Sequence, residues 1–179
     1  MTWNTPITWL VDQLVTESDL NEQVRDNLNY LKGRVDTPAT AHYTLTETTD
    51  YSTSSLTFVD VDNVKLALTL NTNGGDVLVS FFGAIYAPNT QENAVYFDVA
   101  VNGVRRGGDE GVIMVASKNG SGLTIQTGTF AFTLLVTGLS AGTHTFKLQW
   151  RVLQYPMSLR SGGTTPYNVR SQFWVREVS

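Results

Sequence analysis

The chain contains no cysteine. Disulfides, thiolate nucleophiles and cysteine-based zinc or iron–sulfur sites are therefore excluded. Histidine is nearly absent too. The two that occur, His42 and His144, have neither a second histidine nor a carboxylate pair at metal-ligand spacing, and His144 reads as a surface residue at the start of a strand. Only 16% of the residues are charged, and the formal net charge is −4, which argues against a broad phosphate-binding surface and hence against nucleic acid or anionic membrane as a partner. No apolar run is long enough to cross a bilayer. The first residues do not show a basic stretch followed by an apolar core, so a secretory signal is not expected there.

What is present is Thr, Val, Gly and aromatic residues in short runs, with 41% hydrophobic residues over 179 positions. That suits one sizeable core built from strands and tight turns. Val64, Leu66, Leu68 and Leu70 alternate with polar or small residues. So do Val95, Phe97, Val99 and Val101, then Phe130, Phe132, Leu134 and Val136, then Phe146, Leu148, Trp150 and Val152. Alternation of this kind predicts strands with one face in a core. Asn102-Gly103 is the pair favoured in two-residue hairpin turns. "DVLVSFFGAIYA" (76–87) is apolar almost throughout, which predicts cover on both faces, the second supplied by a neighbouring subunit. Eight or nine strands without intervening helices predict an all-β, antiparallel two-sheet sandwich, a jelly roll in first place and an immunoglobulin-like sandwich in second.

The first fifth of the chain differs. Residues 2–15 carry Trp3, Ile7, Trp9 and Leu10 with no clean period and read as an extended hydrophobic arm. A short helix comes next, capped by Thr16 or Ser18, with acidic residues in its first turn, Lys32 near its end and Gly33 as the stop. Leu20, Val24, Leu28 and Leu31, at steps of four, four and three, form one narrow apolar stripe. A helix folded back onto a sandwich could use such a stripe, but its narrowness favours a coiled-coil seam, here a homotrimer. The expected organisation is an arm and attachment helix over 1–34, a linker or edge strand over 35–54, and a head over 55–179.

No catalytic, cofactor or metal site emerges. "DVDN" (60–63) lacks the remaining ligands of a calcium loop and reads as a turn, and "GGDEG" (107–111) reads as a turn with solvated carboxylates. No phosphate loop, nucleophile elbow or dinucleotide fingerprint occurs. The long segment "QYPMSLRSGGTTPYN" (154–168) is the candidate recognition loop, with Tyr155, Arg160 and Tyr167 as anchors for a sugar or a protein surface.

The arm and helix carry a resemblance. Trp3 with Trp9, the "LVTESDLN" step from Leu14 to Asn21, and "RDNLNYLK" from Arg25 to Lys32 resemble the N-terminal segment of structural proteins of tailed phages and prophages. "VTGLSAGTHTFKLQWRV" and the closing "FWVREV" are similar to the late hairpin and last strand of the β-rich heads that follow it. The resemblance implies a trimeric jelly-roll head of the tumour-necrosis-factor kind on a short helical stalk. It implies a virion protein of tail-fibre or surface type, made in a bacterial host, bound to other virion proteins through its arm and concerned with attachment or host recognition, without catalysis. The alternative is a free carbohydrate-binding module or lectin of the same fold, and a polysaccharide depolymerase stands third because the acidic residues fall mainly in turns.

Overall fold

A computed structural model describes residues 3–36, 38–87, 92–117, 126–162 and 169–178, apart from the side chains of residues 34, 36, 117, 126 and 127. The chain divides into two compact units, residues 1–38 and 39–179. Among the described residues of the second, twelve strands form two antiparallel sheets: β1 (Thr40–Thr44), β2 (Tyr51–Thr53), β3 (Val59–Asp60), β4 (Ala67–Thr72), β5 (Gly75–Ala87), β6 (Asn93–Val101), β7 (Val104–Arg105), β8 (Ile113–Ser117), β9 (Gln126–Leu139), β10 (Gly142–Val152), β11 (Met157–Leu159) and β12 (Gln172–Glu177). The first sheet runs β1-β12-β5-β9, with β11 and then β2 continuing the edge of β5 beyond β12. The second runs β4-β10-β6-β8, with β3 beside β10 and β7 beside β6. The chain passes from sheet to sheet at β2–β3, β4–β5, β5–β6, β8–β9, β9–β10 and β10–β11. This is a jelly-roll sandwich.

Alternation decides which side chains meet between the sheets. Val95, Phe97, Val99 and Val101 on β6 are fully buried, as are Phe146, Leu148 and Val152 on β10. Opposite them lie Val77, Val79, Phe81 and Ile85 on β5 and Phe173 and Val175 on β12. Aromatic rings fill the middle: Phe97 stacks on Phe130 with centroids 4.5 Å apart, and Phe81 lies 5.9 Å from Phe97 and 6.4 Å from Phe173. Large offset or tilted rings bury much area per residue and add an aromatic pair energy to it.

Turn chemistry agrees with the local sequence. Asn102 (φ 52°) and Gly103 (φ 81°) both take the positive φ that the two-residue turn between β6 and β7 requires. One expected strand begins late: Val64 is exposed in a turn, because Asp62 Oδ1 accepts hydrogen bonds from the Val64 and Lys65 amides at 2.8 and 2.9 Å and holds the chain curled until β4. "DVDN" therefore initiates a turn. The 35–54 stretch supplies β1, an edge strand paired with β12, and β2.

The N-terminal unit has a different construction. Its helix starts at Thr16, whose hydroxyl accepts from the Asp19 amide while Asp19 Oδ2 accepts from the Thr16 amide, a reciprocal capping box. It proceeds through α1 (Glu17–Leu20), a π-helical segment (Asn21–Asp26) and α2 (Asn27–Asp36). Gly33 does not end it. The helix runs three residues further, with Pro38 just beyond, because glycine merely lowers helix propensity whereas proline and the residue before it resist the helical conformation.

Candidate functional site

The residues singled out in the N-terminal unit are brought together by polar groups. The arm lies antiparallel along the helix. The Asn4 amide donates to Asn27 Oδ1 at 2.8 Å, and Asn27 Nδ2 donates back to the Asn4 carbonyl at 3.0 Å. One side-chain amide thus satisfies both backbone groups of Asn4, as a neighbouring strand would. Asn4 Nδ2 reaches the Glu22 carbonyl at 3.2 Å, the Ile7 amide donates to Gln23 Oε1 at 3.1 Å, and the Trp3 ring lies 6.0 Å from that of Tyr30. At the far end the chain reverses at Asp12, which adopts a positive φ of 64°.

This arrangement leaves the apolar residues outside. Every Trp, Ile, Leu and Val from Trp3 to Val35 is exposed, and Asn27, 5% exposed, is the one buried residue among those described in this unit. The stripe residues Leu20, Val24, Leu28 and Leu31 are between 46% and 59% exposed. Trp3, Ile7, Trp9 and Leu10 are also exposed. Apolar side chains concentrated in so short a segment make an adhesive surface rather than a core. Sequence reasoning missed the Asn4–Asn27 pair, although two amide residues flanking the arm and helix were the available signal.

The recognition-loop residues fare differently. The segment after β10 is not one long loop, since it contains β11, which pairs with β5 and β2. Tyr155 is half-buried and its backbone is held at both ends by the Asn93 side chain. Arg160 is corrected from a displayed anchor to an internal clamp. It is 8% exposed, its Nη1 donates to Asp50 Oδ2 at 2.6 Å, and its guanidinium stacks 4.3 Å from the Tyr86 ring centroid. Asp50 also accepts from the Ser161 amide at 3.0 Å, and Ser161 Oγ donates to the Glu47 carbonyl at 2.7 Å. The clamp fixes the 45–50 loop from a distant part of the chain. Tyr167 lies outside the described residues.

The carboxylates of the sandwich are engaged in holding loops. Asp98, fully buried, accepts from Arg105 Nε at 2.6 Å and from the Gly107 amide at 2.8 Å. Glu110 pairs with Arg151, and the Arg105 guanidinium lies 3.8 Å over the Phe58 ring. "GGDEG" is thus a turn with a fixed backbone whose Asp109 and Glu110 remain exposed. Gly111, at φ 82°, approaches β6 so closely that a Cβ would come within 2.5 Å of the Phe97 carbonyl oxygen. Asp60 receives Lys147 Nζ at 2.6 Å and Gln149 Nε2 at 2.8 Å. Burial alone would raise its pKa, but the Gln149 and Lys147 hydrogen bonds outweigh it and hold the carboxyl below its ordinary value. Glu47 and Asp62 behave alike: burial acts upward, and hydrogen bonds, led by Lys65 for Glu47 and by the Lys65 amide for Asp62, win. Burial first, then the hydrogen bond to Asp62, push the Tyr51 phenol well up.

His144 is corrected from a surface residue to a buried one. Its Nε2 faces the Ser140 carbonyl at 2.9 Å and so carries the hydrogen, which leaves Nδ1 to accept from Asn102 Nδ2 at 2.9 Å. Among the described residues no three His, Asp or Glu side chains gather as a metal site would need, and no helix is long and apolar enough to cross a membrane. A second exposed apolar area lies on the outer face of the β1-β12-β5-β9 sheet. There Leu78 pairs across from Leu135 and Phe82 from Ala131, with Phe82 41% and Leu135 49% exposed.

No protein-family model and no curated protein matches the sequence. Among solved structures, one of infectious bursal disease virus, Gx strain, is similar over 79% of this chain and 36% of that one, at 12% identity and a TM-score of 0.38. One of the Gt strain is similar over 78% and 37%, at 16% identity and a TM-score of 0.34. The chain thus spans little more than a third of the length of either. These are partial likenesses at low identity.

Proposed function

We propose that this protein is a non-enzymatic structural component of a virion, of the tailed-phage kind. In this reading it is held to other virion proteins by its N-terminal arm, joined to two further copies along the helix stripe, and displays a jelly-roll head. The observation that carries the reading is the inverted N-terminal unit, whose apolar side chains face outward while the one buried residue among those described is an asparagine. Such a unit gains its hydrophobic free energy only when a partner covers it. The half-exposed Phe82 and Leu135 support a further surface between neighbouring heads. The Trp3–Trp9 arm with its "RDNLNYLK" helix adds the resemblance to phage structural proteins.

Contact with a host surface, where it occurs, belongs to the segment after β10 that carries Tyr155. Arg160 contributes there by fixing the 45–50 loop, not by touching a ligand. The test is incorporation. Particles assembled with a chain lacking residues 1–15 should contain none of it, although the purified truncated protein keeps the sandwich's melting temperature. Normal incorporation of that truncated chain would defeat the attachment role.

A further inference from the structure

The helix stripe has a flaw as a coiled-coil seam. A heptad repeats apolar residues at alternating steps of three and four. From Val24 onward the chain obeys, since Val24, Leu28, Leu31 and Val35 are separated by four, three and four. From Leu20 to Val24, however, the step is four where three is due, so one residue is surplus. In an α-helix two successive steps of four would swing the stripe by about 80° around the axis.

The structure absorbs the surplus at that place. Asn21–Asp26, between Leu20 and Leu28, is the π-helical segment. A π turn holds nearly one residue more than an α turn, so a step of four returns close to the same line. Four residues of π-helix turn through less than four of α-helix, which reduces the swing of the stripe between Leu20 and Val24. Such π turns are rare inside α-helices and frequently mark functional sites.

The charges beside the seam select the partner and its direction. Asp19 immediately precedes Leu20 and Arg25 immediately follows Val24. Asp19 uses Oδ2 for Thr16, and Arg25 uses Nε for Asp26 at 2.8 Å, so Asp19 Oδ1 and the Arg25 amino nitrogens are left to meet a neighbouring helix. In a parallel neighbour these two positions face each other across the seam and attract. An antiparallel neighbour that layers Leu20 on Leu31 sets Asp19 against position 34, an arginine, but also sets the two Arg25 side chains against each other. Shifted by one heptad, it sets Arg25 against Lys32. Either antiparallel register therefore includes a repulsion that the parallel one lacks. Exposed pairs are individually weak, and they set orientation more than strength.

We infer that the occupant of the stripe is the same stripe of a second copy of this chain, running parallel and in register, with Asp19 of one copy beside Arg25 of the next and the π segment resetting the register. This rests on the self-association proposed for the helix and specifies it. The absence of cysteine provides a clean test. In the full-length protein, Leu20→Cys alone should give disulfide-linked dimers on mild oxidation, and so should Leu31→Cys alone. An oxidised mixture of the two variants should give no dimer that links position 20 to position 31. Dimers confined to the mixture would establish an antiparallel pair and overturn the inference while leaving self-association intact. No cross-link in an oligomeric protein would mean that another occupant covers the stripe. Sedimentation of the unmodified chain as a monomer at micromolar concentration would remove both readings. Arg25→Glu should weaken assembly several-fold, and adding Asp19→Lys should restore part of it. Deleting Asn21 should return the helix to a plain three–four pattern and raise the melting point of the assembled form. A lower melting point would show that the surplus residue does not serve the register.

Discussion

The N-terminal unit and the sandwich draw on the same apolar residue types and place them oppositely. In the sandwich, Phe97, Phe146 and Trp150 are inside, and the polar groups outside pair with one another as Lys147 does with Asp60. In the arm and helix, Leu20, Leu28 and Trp9 are outside, and a hydrogen-bonded asparagine is inside. A two-layer sheet can close on its own apolar faces, whereas one helix with one strand-like arm has no second layer. A helix of this length is also marginal in water without packing. The sandwich therefore closes its own core, whereas the N-terminal unit leaves its apolar side chains exposed, which is what the proposed association would cover.

The largest effect that can break this contrast lies in the core. Phe97→Ala should cost about 3–5 kcal/mol in urea unfolding of the sandwich, from lost burial and the cavity left among Phe81, Phe130 and Trp150. Leu28→Ala removes a comparable aliphatic group but should leave the sandwich transition where it is, lowering only the assembly constant. Equal losses for the two would erase the distinction between the regions.

Next comes the clamp. Arg160→Ala strands Asp50 partly buried without its cation and should cost about 1.5–3 kcal/mol, with the 45–50 loop becoming protease-sensitive. A variant with unchanged stability and lost surface binding would restore Arg160 to the role of a displayed anchor.

Acid should separate the regions more gently. Glu47, Asp60 and Asp62 have folded-state pKa values below their ordinary ones. The unfolded chain therefore binds more protons over the carboxylate range, and the stability these groups supply is complete above about pH 4–5 and lost as pH falls through the depressed folded values. The sandwich melting temperature should fall as the pH drops below about 5. In the N-terminal unit the exposed Asp19 carboxyl is held below its ordinary value, first by the Thr16 hydroxyl and then by the Thr16 amide, so acid should loosen the helix cap. A sandwich that gains stability on acidification would contradict these hydrogen-bond assignments.

The smallest expected effect is that of Asn27→Ala. It should free the arm, seen as faster proteolysis before residue 16, and shift the sandwich midpoint by less than about 0.5 kcal/mol. A larger shift would mean the two units do not melt independently.

Much of this architecture is readable locally. The period of two along β6 and β10, the Asn102-Gly103 turn and the Thr16 cap depend on neighbours a few residues apart, and backbone sterics and hydrogen bonding act at that range. The narrow stripe is readable for the same reason. Its surplus residue is visible as a repeated step of four, but only the folded helix shows the π-helical segment at that place.

The order of residues is enough to set the alternation that makes strands, the turns between them, the capped helix and the concentration of apolar side chains at the start of the chain. Folding in three dimensions was needed to set the strand order, the burial of His144 against Ser140 and Asn102, the use of Arg160 to hold Asp50, the pairing of Asn4 with Asn27, and the insertion of β11 into what resembled a loop. Each of these joins groups distant in the chain or depends on which face a neighbouring strand leaves open. A buried charge or amide acquires its role from the partner that satisfies it, and that partner is chosen by the fold rather than by adjacent residues.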